Sequence, residues 1–204
     1  MKICIIDLNV CNVNSVSKCV EHVGFNYTIA KDPSALLDAD KIIFPGVGSY
    51  SSVMNRLHEN KWIEILKKKI IEEKKSYLGI CLGMQILSEV GYEFEKKRGL
   101  NYIKGEVVNL QNIGCNDILP HTGWNSLDTK NKSEIFEGLS ENTNFYFNHS
   151  FVMNSVDKNF ITSTSNYEIN FISSVKKDNI YGVQFNPEKS SDSGIKIIKN
   201  FLDL

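Results

Sequence analysis

The chain has 204 residues, 42% of them hydrophobic, with 23 basic against 24 acidic side chains and a net charge of −1. That length supports one substantial core, so a single domain spanning residues 1–204 is expected, and the balanced charge excludes the basic footprint of a nucleic-acid binder. Too few consecutive apolar residues occur for a membrane span, the start runs straight into a strand instead of a signal peptide, and unpaired cysteines suggest a reducing cytoplasm.

Lys2 to Asp7 is a short apolar run of buried-strand character. Val16, Cys19, Val20 and Val23 then recur at helical spacing and stop at Gly24. Asn26 to Ala30 reads as a second strand and Lys41 to Phe44 as a third, broken by Pro45-Gly46-Val47-Gly48. A helix follows with Trp62, Leu66 and Ile70 on one face, and the mixed charges of residues 67–75 read as its solvated side. The next strand delivers Cys81. This alternation predicts an α/β fold, a central, mostly parallel sheet flanked by helices. From Gly105 the texture becomes β-rich, with strands at Asn144–Phe151 and Phe160–Ser165. A hairpin is predicted over Phe171–Phe185, turning near Lys177-Asp178-Asn179. Ile195, Ile198 and Leu202 then place a closing helix against the sheet.

The chemistry concentrates at two motifs. In Tyr77-Leu78-Gly79-Ile80-Cys81-Leu82-Gly83-Met84-Gln85 two glycines flank a cysteine, as in a strand-to-helix nucleophile elbow. A thiol there sits at a helix N-terminus, expected to lower its pKa, and the Leu82 N–H is available to an oxyanion. Cys4 and Cys19 read as core residues, and Cys11 and Cys115 as unactivated loop residues. No C-x-x-C pair exists and the spacings fit no zinc site, so neither metal nor cofactor is expected. The second motif is Gly182-Val183-Gln184-Phe185-Asn186-Pro187-Glu188-Lys189-Ser190. Residues 186 and 188 share one side of an extended segment, so Glu188 is placed to orient a base at 186, where asparagine stands. On adjacent parallel strands, the Pro45–Gly48 loop and Cys81 would meet at one sheet edge.

These paired motifs resemble the signatures of the class I (triad) glutamine amidotransferases. With Pro45–Gly48, Leu119–Asn125 and Phe145–Ser150, the chain is similar over nearly its whole length to the glutaminase subunits of imidazole glycerol phosphate synthase. The resemblance implies that Cys81 attacks the side-chain amide of L-glutamine, passes through a γ-glutamyl thioester and releases ammonia. It implies an oxyanion held by the amides of Leu82 and of Val47 or Gly48, and a pocket lined by Gln85, His149, Ser150 and Phe151. It assigns position 186 to the histidine base and Glu188 to its orienting acid. Ammonia would pass, for histidine biosynthesis, to a partner (β/α)8 barrel cyclase in a heterodimer, with Asn12, Pro120, His121, Trp124, Asn125 and Lys189 facing that barrel.

Three residues depart from the family pattern: Asn186 replaces the base, Cys11 replaces a frequent glycine, and Thr122 replaces a usual methionine. An amide cannot take up a proton near neutral pH, so activity is expected to be greatly reduced. A non-catalytic docking subunit and a paralogue that serves amidation or amidination of surface sugars are the alternatives.

Overall fold

The structure is a computed structural model and describes residues 1–9, 13–46, 48–131, 133–140 and 143–204. Its first half is laid down by four short strands, buried on both sheet faces in all but the edge strand Tyr27–Ala30. These are β1 (Ile3–Ile6), β2 (Tyr27–Ala30), β3 (Lys41–Gly46) and β4 (Ser76–Cys81), parallel in the order β2-β1-β3-β4. Ile3 and Ile5 pack with Val16 and Val20 of α1 (Val13–His22). Cys4 and Ile6 point the other way, into a cluster with Met54 and Leu57 of α2 (Tyr50–Glu59) and with Trp62 and Leu66 of α3 (Trp62–Leu66). Burial on both faces explains why β1 and the start of β3 read as unbroken apolar runs without alternation.

Three expectations are corrected here. β3 continues through Pro45 to Gly46, because both residues remain in register with β4. The single helix expected before β4 is two, broken at Lys61, which is left-handed (φ 58°), and α3 passes into a π-helical stretch at Lys67–Glu72. Lys69, read as part of a solvated face, is buried with its ammonium on Glu73 at 2.7 Å.

Beyond β4 the chain forms α4 (Leu82–Gln85), β5 (Val90–Gly91), β6 (Lys97–Arg98), β7 (Glu106–Asn109), β8 (His121–Ser126) and β9 (Asp128–Thr129). It continues through β10 (Asn144–His149), β11 (Phe151–Asn154), β12 (Ile161–Tyr167), β13 (Ile169–Lys177), β14 (Ile180–Val183) and α5 (Ser191–Asp203). The predicted hairpin is β13–β14, turning at Asp178 (φ 52°). β14 lies parallel beside β4, and β13, β12 and β9 extend the same sheet antiparallel, to eight strands in all. β11, β7, β5 and β6 make a small second sheet, and β8 pairs with β10. Helix α5 buries Ile197, Ile198, Phe201 and Leu202 on the α1 side, and Lys41 from β3 donates to the Phe201 carbonyl at 2.8 Å. Among the described residues no helix is long and apolar enough to cross a membrane.

One feature of this topology positions the site. β4 has β3 on one side and β14 on the other, both parallel to it, so three chain segments leave the sheet at the same end.

Candidate active site

Gly46 is the register partner of Cys81, so the loop after β3 and the turn after β4 start at the same level. The turn is held by backbone packing. A Cβ on Gly79 would stand 2.2 Å from the Gly83 carbonyl oxygen, and one on Gly83 would stand 2.0 Å from that of Phe44. Only glycine permits that approach, and the Tyr77 hydroxyl fixes it further by donating to the Gly83 carbonyl at 2.8 Å. Cys81 at the apex has φ 53° and ψ −109°, a backbone strain of the kind found at nucleophile elbows.

The expected low thiol pKa is not found. α4 is a single turn of four residues, too short to sum an appreciable dipole. Burial, then the charge of Glu188, push the Cys81 thiol up to about 12, against hydrogen bonding from Leu82, the charge of Lys189 and an amide of Gln184. The sulfur is thus held as a thiol until something removes its proton.

Residue 186 lines the same cavity as the sulfur. Its backbone is clamped: Asn186 N–H donates to the Tyr146 carbonyl (2.8 Å), and the Ser190 hydroxyl donates to the Asn186 carbonyl (2.7 Å). Its side chain donates from Nδ2 to Glu188 Oε1 at 3.0 Å. An imidazole there would make the same bond through Nδ1–H and would present Nε2 as a proton acceptor; the asparagine keeps the first function and lacks the second. Glu188 Oε2 is buried without a partner, and burial raises the pKa of this carboxyl.

His149 does not substitute. Its Nε2 meets His121 Nδ1 at 3.2 Å and its Nδ1 meets the Phe151 carbonyl at 3.1 Å, so both ring nitrogens are occupied. Burial holds its pKa down at about 3 and that of His121 at about 4, which keeps the pair neutral.

A cavity of about 180 Å³ joins these pieces, lined by Gly48, Cys81, Leu82, Gln85, His149, Ser150, Phe151 and Asn186, with Gly46, Glu93, Asn148 and Lys189. Val47 and Asn12 lie outside the described residues. Gln85 gives both hydrogens of its amide away, to the Phe151 carbonyl (2.8 Å) and to Gln184 Oε1 (3.0 Å). Its carbonyl oxygen is therefore the end left for a ligand. Two residues escaped the sequence reading. Glu93, in the turn between β5 and β6, accepts from the Tyr50 amide at 2.6 Å and adds a carboxylate to the cavity; nothing in its neighbours signals this. Gln184 donates to Cys81 Sγ at 3.5 Å; its place in the second motif was the available signal.

The comparisons fit this geometry. The family model for class-I glutamine amidotransferases matches residues 4–204. The chain belongs to the class I glutamine amidotransferase family. It is 42% identical, over 99% of its length and 100% of the relative's, to imidazole glycerol phosphate synthase subunit HisH 1 of Campylobacter jejuni (strain RM1221). It is also 42% identical to subunit HisH 2 of Methanococcus maripaludis, over 98% of each chain. The structure of PurLQS from Thermotoga maritima shares the fold, with a TM-score of 0.74, 21% identity and coverage of 99% and 97% of the two chains.

The residues expected to face a partner of this amidotransferase fall into two groups. Pro120 and Trp124 are exposed, the indole lies edge-on to Tyr146 (6.1 Å between centroids), and the Lys189 ammonium sits over the Tyr146 ring at 5.5 Å. Lys189 also lines the cavity, so this surface is continuous with the mouth of the site. His121 is different. It is 3% exposed, stacked between Phe147 and Tyr167, and so cannot present its ring to a partner. Asn125 is half-buried and spends its amide nitrogen on the Asn166 carbonyl.

Proposed function

We propose that this chain is the glutaminase subunit of an imidazole glycerol phosphate synthase, built to release ammonia from glutamine at Cys81 and pass it to a (β/α)8 barrel cyclase. The observation that carries the reading is one small cavity that takes in the elbow cysteine, the amide carbonyl of Gln85 and the carboxylate of Glu93. Glutamine offers a complementary set. Its side-chain NH2 suits the Gln85 acceptor, its α-ammonium suits Glu93, and its amide carbon is then presented to the sulfur. The Leu82 amide lies on the sulfur side, where the tetrahedral oxyanion would form.

As written, the site lacks its proton carrier. The thiol must lose a proton to attack and the departing nitrogen must gain one, and Asn186 serves neither step. Glutamine binding is retained, and hydrolysis is slow. The aromatic surface at Trp124, Tyr146 and Lys189 serves as the docking face for the barrel, which places the partner over the cavity mouth.

Co-purification with a histidine-pathway cyclase barrel, followed by cyclisation assays with each nitrogen source, tests this. The complex is expected to form, to work poorly with glutamine, and to cyclise its substrate when ammonium salt is supplied. Full turnover with glutamine would refute the assignment of position 186. The numbered subunits among the relatives, HisH 1 and HisH 2, favour keeping one second reading, a paralogue with a different acceptor. Failure to bind the cyclase barrel would make that reading the better one.

A further inference from the structure

Gln184 follows directly on β14 and is fully buried. Its backbone N–H donates to the Ser173 carbonyl at 2.8 Å, which anchors it to β13. Its side chain lies between two others: Oε1 accepts from Gln85 Nε2 at 3.0 Å, and Nε2 donates to Cys81 Sγ at 3.5 Å.

The direction of this chain of bonds is forced. The Phe151 main-chain carbonyl is an acceptor and cannot be anything else, so Gln85 must turn its nitrogen toward it. The same nitrogen then faces Gln184, which must answer with oxygen. A flipped Gln184 would oppose two NH2 groups in a buried space, at the cost of an unmade hydrogen bond. Gln184 is therefore left with its N–H pointing at the sulfur. Backbone geometry at β11 thus determines what the sulfur meets on β14.

We propose that Gln184 is a positioning residue for Cys81: oriented through Gln85 by the Phe151 carbonyl, its amide holds Sγ in place and stabilises negative charge on the sulfur. The Leu82 amide also reaches the sulfur, but the single turn of α4 adds no appreciable helix dipole, and the Asn186 amide two residues on is turned to Glu188 instead. A buried thiol beside the carboxylate of Glu188 has a strong need for such a donor. The proposal rests on Cys81 as the reactive group and makes no use of glutamine or of a partner, so it can fail separately from the function proposed above.

Alkylation by iodoacetamide tests it, with Cys81 modification followed by peptide mass spectrometry over a pH series. Cys19 in the same molecule is the internal reference, and the thermal midpoint reports folding. At any pH below the thiol's own titration, Gln184→Met is expected to slow Cys81 modification by about tenfold, the effect of losing one hydrogen bond to a charged acceptor. Cys19 should not change. A purely structural role would loosen the site and speed both cysteines, so equal or faster Cys81 modification in a folded variant overturns the proposal. Should Gln184→Met fail to fold, Gln184→Glu keeps the acceptor for Gln85 and removes the N–H. At alkaline pH, with the new carboxyl ionised, Gln184→Glu is expected to show at least the same slowing. An unchanged rate there is equally fatal.

Discussion

The two halves of the site are built in contrasting ways. At the elbow, chemistry is written into the main chain: glycines stacked against carbonyls, a strained apex and a tyrosine tied to the turn. At the end of β14 the main chain is just as well fixed, yet what it presents is one side chain, an amide that takes up no proton near neutral pH. A site can therefore keep its geometry and still lack a single atom, an acceptor nitrogen at 186. Backbone devices need many residues to agree, whereas a base needs only one.

The largest expected effect comes from supplying that atom. Asn186→His should raise glutamine hydrolysis at least about a hundredfold, the low end for a positioned acid–base group. Steady-state ammonia release from the two chains decides it; equal rates would mean that proton transfer runs through another residue.

The opposite half should be intolerant at the backbone. Gly79→Ala forces a methyl group onto the Gly83 carbonyl, and a loss of about 3 kcal/mol is expected in denaturant unfolding. A loss well under about 1 kcal/mol would show that the elbow can relax and that its main chain is no more demanding than the end of β14.

Strain at the apex can be isolated by comparing two variants that both lack sulfur. Cys81→Gly should be more stable than Cys81→Ala by about 1 kcal/mol, because glycine adopts φ 53° freely and alanine does not. If alanine is the more stable, the apex holds no strain.

The smallest effect concerns Glu188. Burial raises its pKa, so the folded protein binds that proton more tightly than the unfolded chain does. Stability contributed by the neutral form is then present below the ordinary carboxylate range and is lost as pH rises through the folded pKa. Glu188→Gln should accordingly raise the thermal midpoint by about 2 °C at neutral pH. That gain should vanish on acidification. A gain independent of pH would mean that the charge is not its cause.

Much of this was legible in the sequence. The buried strands, the hairpin at Asp178 and the elbow all follow from apolar runs and glycine placement, where local pattern and tertiary role coincide. The meeting of the Pro45–Gly48 loop and Cys81 at one sheet edge follows from parallel adjacency, whereas the pairing of Gly46 with Cys81 inside the strand does not. Other features could not be read. Tyr50, Val53, Met54 and Leu57 have helical spacing, but the break at Lys61 depends on a left-handed residue that is not glycine. The thiol pKa was misjudged because the sequence gives no length for α4 and no depth for the sulfur. The outward direction the resemblance implies for His121 fails because the packing of β8 on Phe147 and Tyr167 alone decides which way its ring turns. Glu93 reaches the cavity through a turn whose path no periodicity reveals. Family resemblance carries residue identities well and carries side-chain direction poorly.

The bond from Asn186 to Glu188 has a genetic consequence. Asparagine and histidine codons differ by one base, A against C in the first position, and the carboxylate that would orient the imidazole is already in contact with residue 186. No compensating change elsewhere is needed, because the main chain at 186 is clamped by Tyr146 and Ser190 whatever side chain it bears. An imidazole at 186 is therefore one point mutation away, and a population carrying this gene under selection for faster glutamine hydrolysis would be expected to change at codon 186 before it adapted anywhere else.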